Sequence, residues 1–456
     1  MAPIDSGHGV TDRSPFECMM LLLASGIGSG VLVLPRAMAA VGWEVMLGCL
    51  IIAFVISGTT TYILALGVLE VRRRWMEEDL RKPLHPERHM AHTSWLDVAN
   101  EPVSPSSSPH IHRSSSWRDM AEPEPKRIGP SYADLLEAAS PECPETIATL
   151  MDVVLLCHNQ LALVVYHLFV AQSLEPFLNH RICIILGTGS LGCYLSTSPT
   201  VTSLSRLANI SPFVLVFLMC AIAGDYVWNG AGRDVDIAAV HDLEKAPAAI
   251  CISVFAFFWH TNCVAVVREL RHPTPPRLCA LAYGSAFTLG LLYFLLALAG
   301  YASWGPQLLR VPTILSMYSL SSLAFDVARV LLAISLAIAI PLNVYPIRES
   351  VQNLLERFLW KRRRLTFLQP YCQHKTLGCL LVMIPMFTSI FFDNVVQVIT
   401  IIGGSLVSLM MIPFPSLVFR LAFPNYPLIW RVLFICSILL TTFLASASVG
   451  CFGKPV

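Results

Sequence analysis

The sequence predicts an all-α polytopic membrane protein with about eleven transmembrane helices, in which spans one to five and six to ten form a five-plus-five inverted repeat and spans one and six are discontinuous. Three observations lead there. Only 13% of the 456 residues are charged while 55% are apolar, and the mean hydropathy is +0.63, which leaves too few charges to cover a soluble surface. Apolar windows long enough to cross a bilayer recur along the whole chain. Two of them, five spans apart, are spoiled at mid-bilayer depth by glycines or polar residues; because five is odd, the two copies run through the membrane in opposite directions.

Charge and cysteine usage exclude other classes. A net charge of +1 without a basic face argues against nucleic acid as a partner. Of the 14 cysteines, Cys49, Cys157, Cys220, Cys251, Cys263 and Cys436 sit inside long apolar runs, as small hydrophobes rather than as a disulfide framework. No charged leader with a cleavage site precedes the first apolar segment, so residues 1–15 are expected to be a short cytoplasmic tail.

The spans are placed at 16–40, 44–69, 147–175, 182–198, 207–228, 247–268, 279–301, 324–347, 376–392, 395–419 and 427–449. The fourth and ninth are the shortest, whereas the third, eighth and tenth are long enough to cross while tilted. Spans one and two thus occupy 16–70, spans three to eleven 146–449, and 450–456 form a tail on the other side. With the amino end in the cytoplasm, the segments assigned there hold 24 of the 31 Lys and Arg residues. That asymmetry puts the amino end inside and the carboxyl end in the extracellular or lumenal space. Either the plasma membrane or an endolysosomal or vacuolar membrane fits.

Residues 71–145 do not read as membrane. Ten prolines, ten serines, ten basic and 13 acidic residues leave little to bury, so a disordered cytoplasmic insert is expected, open to a cytoplasmic regulator. Ser116 has Arg113 three residues before it, a basic approach kinases use, but an accidental Ser-rich linker is the reading the letters favour. Towards the end of the insert, Tyr132, Leu135, Leu136 and Ala139 share a face at helical spacing and suggest a short amphipathic lead-in to span three.

The informative residues spoil otherwise good helices. In span one, Gly26, Gly28 and Gly30 surround Ser29, and Pro35 follows. Glycines admit non-helical dihedrals and proline withholds an amide hydrogen, so unwinding there would expose backbone amides that attract a carboxylate. Gly26 and Gly30, four apart, also fit a face for close helix packing. Span six carries His260, Thr261 and Asn262 together in apolar sequence, costly unless they face the bundle interior or water. Further interruptions are His158, Asn159 and Gln160 in span three, Pro341, Asn343 and Pro346 in span eight, and Gly403, Gly404 and Ser405 in span ten; singly, each reads as packing or a kink.

Enzyme chemistry finds no footing. HExxH, GxxxxGK[ST], CxxC and GxSxG are all absent from the sequence, and GIGSG lies in an apolar helix without a base beside it. No catalytic residue, metal ligand set or cofactor is expected. Without an ATP-binding loop, transport would run on a gradient or passively.

Four stretches carry a family likeness: GIGSGVLVLPRAMAAVGW (26–43), FAFFWHTNCVAVVRELRHP (255–273), IPLNVYPIRESVQNLL (340–355) and VITIIGGSLVSLMMIPFPSLVFRLAF (398–423). The chain resembles the amino acid/auxin permease family of transmembrane amino acid transporters, and within it the eukaryotic neutral amino acid permeases. The resemblance implies the eleven-helix inverted-repeat fold, with an amino acid held between the unwound parts of spans one and six. Gly28, Ser29 and Gly30 match the family's Gly-Ser-Gly, whose backbone would receive the carboxylate. Phe257, His260, Thr261 and Asn262 match its aromatic-then-His-x-Asn segment, where backbone groups would meet the ammonium and the aromatic would line the side-chain pocket. Pro346 and Arg348 match a Pro-x-Arg at the end of span eight.

Departures from the family bear on coupling. Sodium-coupled relatives have side-chain oxygens where this chain has Ala24 in span one and Ala337 and Ala339 in span eight, leaving Ser335 as the nearest hydroxyl. Alanine offers no side-chain oxygen to a hard cation, so a coupling proton is favoured over sodium, with His260 as its candidate carrier and Ser335 as the remaining cation ligand. The expected function is secondary transport of neutral L-amino acids by symport; the alternatives are an amino acid-sensing receptor of the same fold with little flux, or a sodium-coupled or uncoupled permease.

Overall fold

The computed structural model describes residues 13–81, 130–197, 210–229, 237, 240–318, 320, 322–355, 357–358, 373–392 and 394–450. They form helices throughout: α1 (Pro15–Gly26), a 3-10 turn (Ser29–Val33), α2 (Leu34–Val41), α3 (Trp43–Arg81), α4 (Tyr132–Ala139), α5 (Pro144–Leu178), α6 (Arg181–Ser196), α7 (Ser211–Asn229), α8 (Ala246–Ala256), α9 (His260–Glu269), α10 (Pro275–Trp304), α11 (Leu323–Leu355) and α12 (Gln373–Ile390). The span before the last is assembled from α13 (Val395–Ile402), a π turn (Gly403–Val407), α14 (Ser408–Met411) and α15 (Pro413–Ala422), and α16 (Pro427–Gly450) is the last.

Among the described residues, eight helical stretches are long and apolar enough to cross a bilayer, and the pair Pro15–Gly26 and Gly30–Val41, bent by 56°, makes a ninth. Two shorter apolar helices, Arg181–Ser196 and Thr376–Ile390, coincide with the fourth and ninth windows of the sequence. At 1.5 Å per residue a 16-residue helix such as α6 reaches only about 24 Å, short of a hydrocarbon core of about 30 Å.

Local chemistry sets the ends of these helices. The Ser14 hydroxyl accepts from the Glu17 amide and the Glu17 carboxylate accepts from the Ser14 amide, with Pro15 opening α1, so one capping box satisfies orphan donors in both directions. Ser131 and Asp134 repeat the device at α4. Gly42 takes φ 92° between α2 and α3, a backbone state that side chains disfavour.

Burial separates the centre of the bundle from its rim. Within an apolar 18-residue window of Leu243–Glu269 and of Val395–Ala422, 72% of the residues are buried, whereas in the corresponding window of Pro427–Gly450 only 17% are. Large apolar side chains on α16, among them Leu428, Leu439, Phe443 and Val449, are mostly exposed, a surface that water would not tolerate and lipid covers. Inside, α11 lies along α5, α10 along α3, and α8 between α3 and the π turn. Gly403 allows the last contact: a Cβ there would come within 2.1 Å of the Cys251 carbonyl oxygen, so this glycine is a packing residue.

One sequence expectation changes. The 71–145 insert is ordered at both ends: α3 runs on to Arg81, supported by Arg73 and Arg74 pairing with Glu70 at helical spacing. The amphipathic lead-in is α4, with Tyr132, Leu135, Leu136 and Ala139 all buried and the Tyr132 hydroxyl donating to the Met410 carbonyl, 2.8 Å away. The rest of the insert, with Arg113 and Ser116, lies outside the described residues, as do residues 1–12 and 451–456. Span eight, in turn, stays helical through Pro341 and Pro346, with the Asn343 side-chain amide donating to the Ala339 carbonyl at 2.8 Å.

Candidate functional site

The first break follows from GIGSG. Helix α1 ends at Gly26, and the Gly28 amide turns back to donate to the Gly26 carbonyl at 2.8 Å. Gly28 is extended (φ −112°, ψ −161°) and the chain restarts as a 3-10 turn at Ser29. The opening amides of that turn, at Ser29 and Gly30, have no acceptor within it.

The second break lies between Ala256 and His260, where α8 stops and α9 begins. Polar residues of α3 hold it open. The Ser57 hydroxyl donates to the Phe257 carbonyl at 2.9 Å, and the Trp259 indole donates to the Thr61 hydroxyl at 2.9 Å. From α10, the Tyr293 hydroxyl reaches the Gly26 carbonyl (2.8 Å) and the Ala256 carbonyl (3.2 Å), the last helical residues before the two breaks. One buried phenol thus offsets the loss of helical partners at both.

A cavity of about 40 Å³ lies between the breaks, lined by Gly26, Gly28 and Gly30 of the first, Phe255, Ala256, Phe258, Thr261 and Asn262 around the second, and His158, Asn159, Tyr166 and Asn343 from α5 and α11. No Asp, Glu, Lys or Arg lines it. A larger cavity of about 220 Å³ adjoins it, since Ser25, Tyr166, Asn262 and Asn343 line both. At the larger cavity's edge Arg13 and Glu269 form an ion pair at 2.6 Å. Backbone bonds of 2.9 Å from Arg13 to Glu269 and from Arg271 to Arg13 tie the start of α1 to the end of α9.

The residues singled out from sequence divide. Gly28, Gly30, Thr261 and Asn262 come together at the small cavity, and Ser29 follows Gly28 in the backbone. Phe257 does not line either cavity: fully buried, its ring packs edge-on to Tyr293 with centroids 5.7 Å apart. His260 also lines neither, because its Nε2 lies 2.7 Å from the Thr60 hydroxyl on α3. Ser335 lines the larger cavity with Ala24 and Ala339, but its hydroxyl is 2.7 Å from that of Ser211 on α7. Ala337 faces elsewhere, towards a groove beside α6.

Several lining residues escaped the sequence as site residues. His158, Asn159 and Asn343 carried a signal as polar interruptions, whereas Gln160 beside them donates to the Leu381 carbonyl at 3.1 Å and serves packing. Tyr166 and Phe258 are ordinary apolar-span residues in sequence. His158 meets the Phe258 ring edge-on, with centroids 4.6 Å apart, and Phe258 stacks on His260 at 5.5 Å. Phe258 therefore separates the histidine that lines the cavity from the one that does not.

Comparison with known proteins bears on the fold and family. Residues 130–453 match the family model described as transmembrane amino acid transporter protein. A candidate amino acid transporter of Toxoplasma gondii, AAT1, is 22% identical over 244 residues, covering 51% of this chain and 33% of that protein. Vacuolar amino acid transporter 5 of Schizosaccharomyces pombe is 26% identical over 156 residues, covering 34% of this chain and 36% of that one. The matches thus span about a third of the length of these relatives. Among solved structures, the Eremococcus coleocola manganese transporter in complex with an aromatic bis-isothiourea compound superposes with a TM-score of 0.56 at 9% identity, covering 100% of this chain and 91% of that one. Two mutant forms of that transporter give TM-scores of 0.53 and 0.52. At that identity the likeness speaks for the fold alone.

Proposed function

The chain belongs to the transmembrane amino acid transporter family, and from that premise we propose that it moves neutral L-amino acids across a membrane by alternating access, as a proton-coupled secondary transporter. The family and the site chemistry mark it as a transporter rather than an enzyme. The observation that carries the proposal is that two helix breaks from distant parts of the chain open on one cavity free of charged side chains. In this reading the substrate carboxylate sits on the opening amides at Ser29 and Gly30, where a helix start favours negative charge. The ammonium meets the side-chain oxygens of Thr261, Asn262 and Asn159. Phe258 takes over the pocket-lining role that the sequence gave to Phe257, because its ring is the one on the cavity.

The larger cavity serves as the path to the amino-terminal face, taken as cytoplasmic, with the Arg13–Glu269 pair making α1 and α9 move together. Counting α6 and α12 as short spans gives eleven, in the five-plus-five arrangement of the neutral amino acid permeases. The membrane is the plasma membrane or an endolysosomal or vacuolar one, and the insert between α3 and α4 is where a cytoplasmic regulator would bind.

A proton is favoured over sodium. Ala24 and Ala339 give a cation no side-chain oxygen, and the Ser335 hydroxyl is already engaged by Ser211. The carrier proposed here moves from His260 to His158, which lines the cavity and whose Nδ1 is buried without a hydrogen-bond partner among the described residues. Proteoliposomes carrying the purified protein test the whole reading: uptake of a neutral amino acid against its gradient, driven by acid outside, is expected. Saturable binding with no flux under either gradient would favour a receptor and defeat the proposal.

A further inference from the structure

A second cavity, of about 920 Å³, lies away from the transport path, where α3, α4 and the start of α5 meet the turn between α15 and α16. One wall is cationic: Arg74, Arg420 and Arg431 line it with one carboxylate, Glu142, while Arg74 also pairs with Glu70 outside the lining at 2.9 Å. Arg420 is held in place by Glu142 at 2.8 Å and by the Trp430 ring, 5.2 Å from its guanidinium carbon. Arg431 is exposed and has no ion pair among the described residues. The Trp430 indole nitrogen is buried without an acceptor, an arrangement that costs free energy unless a ligand supplies one. Helices α5 and α16 both begin at this wall, at Pro144 and Pro427, and the start of α5 has no side-chain cap; helix starts favour an anion.

Below the arginines the lining turns apolar. Phe434 and Ile435, on the turn of α16 that follows Arg431, continue the cavity towards the bilayer, and Ile435 is 59% exposed on the lipid side. Cations above and a lipid-facing apolar wall beneath match the two ends of a phospholipid, not a soluble anion. The level also fits, because the cluster Arg72–Arg74 lies on this face, and anionic headgroups draw basic residues to a membrane surface.

We propose that this cavity seats an acidic phospholipid, its phosphate on Arg74, Arg431 and the Trp430 indole and an acyl chain along Phe434 and Ile435. The lipid would bridge α3 to α16, clamping the peripheral last helix onto the bundle. This site is independent of the substrate assigned to the transport cavity.

Native mass spectrometry of the full chain, titrated separately with phosphatidylserine and phosphatidylcholine, tests it. Wild type should retain phosphatidylserine in preference to phosphatidylcholine. Arg431→Ala and Arg74→Ala should each weaken that retention about fivefold, whereas Arg431→Lys should keep most of it. Trp430→Phe, which preserves the ring over Arg420 but removes the donor, should weaken it as well. Equal retention of the two lipids by wild type, a measurement that needs no variant, overturns the proposal. So does undiminished phosphatidylserine binding by both alanine variants. Displacement by glycerophosphoserine or inorganic phosphate at the same concentration as the lipid would assign the site to a free anion instead and reject the lipid.

Discussion

Tyr293 donates its hydroxyl proton to the carbonyl of Gly26, 2.8 Å away, at the point where the first span stops being helical. The Ala256 carbonyl, at the end of α8, lies 3.2 Å from the same oxygen. A phenol has one proton, so the two breaks share it, and their geometry is coupled through a residue of a third helix. Tyr293→Phe takes the hydroxyl from the Ala256 carbonyl and leaves the Gly26 carbonyl with the Gly28 amide alone, at nearly unchanged shape. The expected cost is about 1–3 kcal/mol of stability, with a larger proportional loss of uptake because the breaks no longer hold their spacing. Thermal unfolding and initial uptake rates of the same preparation check this; a variant that loses stability yet transports at the wild-type rate would show that the breaks do not need the shared bond.

The three glycines of the first break are not equivalent. A Cβ at Gly30 would lie 3.0 Å from the Phe255 ring and 3.2 Å from the Ala256 Cα, pressing directly on the second break, whereas at Gly28 the nearest atom is the Tyr166 hydroxyl at 3.5 Å. Gly30→Ala should therefore cost about 1–3 kcal/mol by overpacking and abolish most uptake. Gly28→Ala should be tolerated better, and Gly28→Leu, which fills the cavity, should not. The ranking of the two alanine variants in an uptake assay is the check, and the reverse order would refute the geometry.

Replacing external sodium with choline should leave uptake intact, and acidifying the outside should raise it. The direction follows from loading: a carrier that must take a proton from outside gains occupancy as external pH falls. His158→Gln should remove the acid stimulation, while His260→Gln should alter expression or stability more than pH dependence, since His260 is bonded to Thr60 away from the cavity. Acid stimulation lost in the His260 variant and kept in the His158 variant would return the role to His260.

Selectivity should follow the walls of the small cavity. With no charged side chain to pair with it, a substrate Lys, Arg, Asp or Glu side chain would be buried uncompensated, at a cost of several kcal/mol, so small neutral amino acids should compete best. Phe258→Ala should extend the range towards larger neutral side chains without admitting charged ones. Competition of radiolabelled uptake by a panel of amino acids decides this; arginine or glutamate outcompeting every neutral amino acid would contradict it.

The sequence by itself determined the membrane class, the apolar helices and the places where two of them break. Those features are local: the glycines of GIGSG loosen a helix wherever it packs, and a run of apolar residues has nowhere else to go. It also singled out Gly28 and Gly30, at the first break, and Thr261 and Asn262, which open α9 just after the second. The extension of α3 to Arg81 was missed: Glu70, Arg73 and Arg74 stand at helical spacing, but the prolines farther on made the whole of 71–145 read as a disordered insert. Only the tertiary structure decided which way the second break faces. Three non-helical residues, 257–259, interrupt the 100° per residue phase of the helix, so no periodicity carries from Ala256 to His260. The hydroxyls of α3 then fix the outcome, drawing His260 and Trp259 towards Thr60 and Thr61 and leaving Phe258 on the cavity. The same holds for Ser211 and Tyr293: each is one polar group in an apolar span, and Ser335 and Gly26, which they bond, lie more than a hundred residues away on helices that only packing brings beside them.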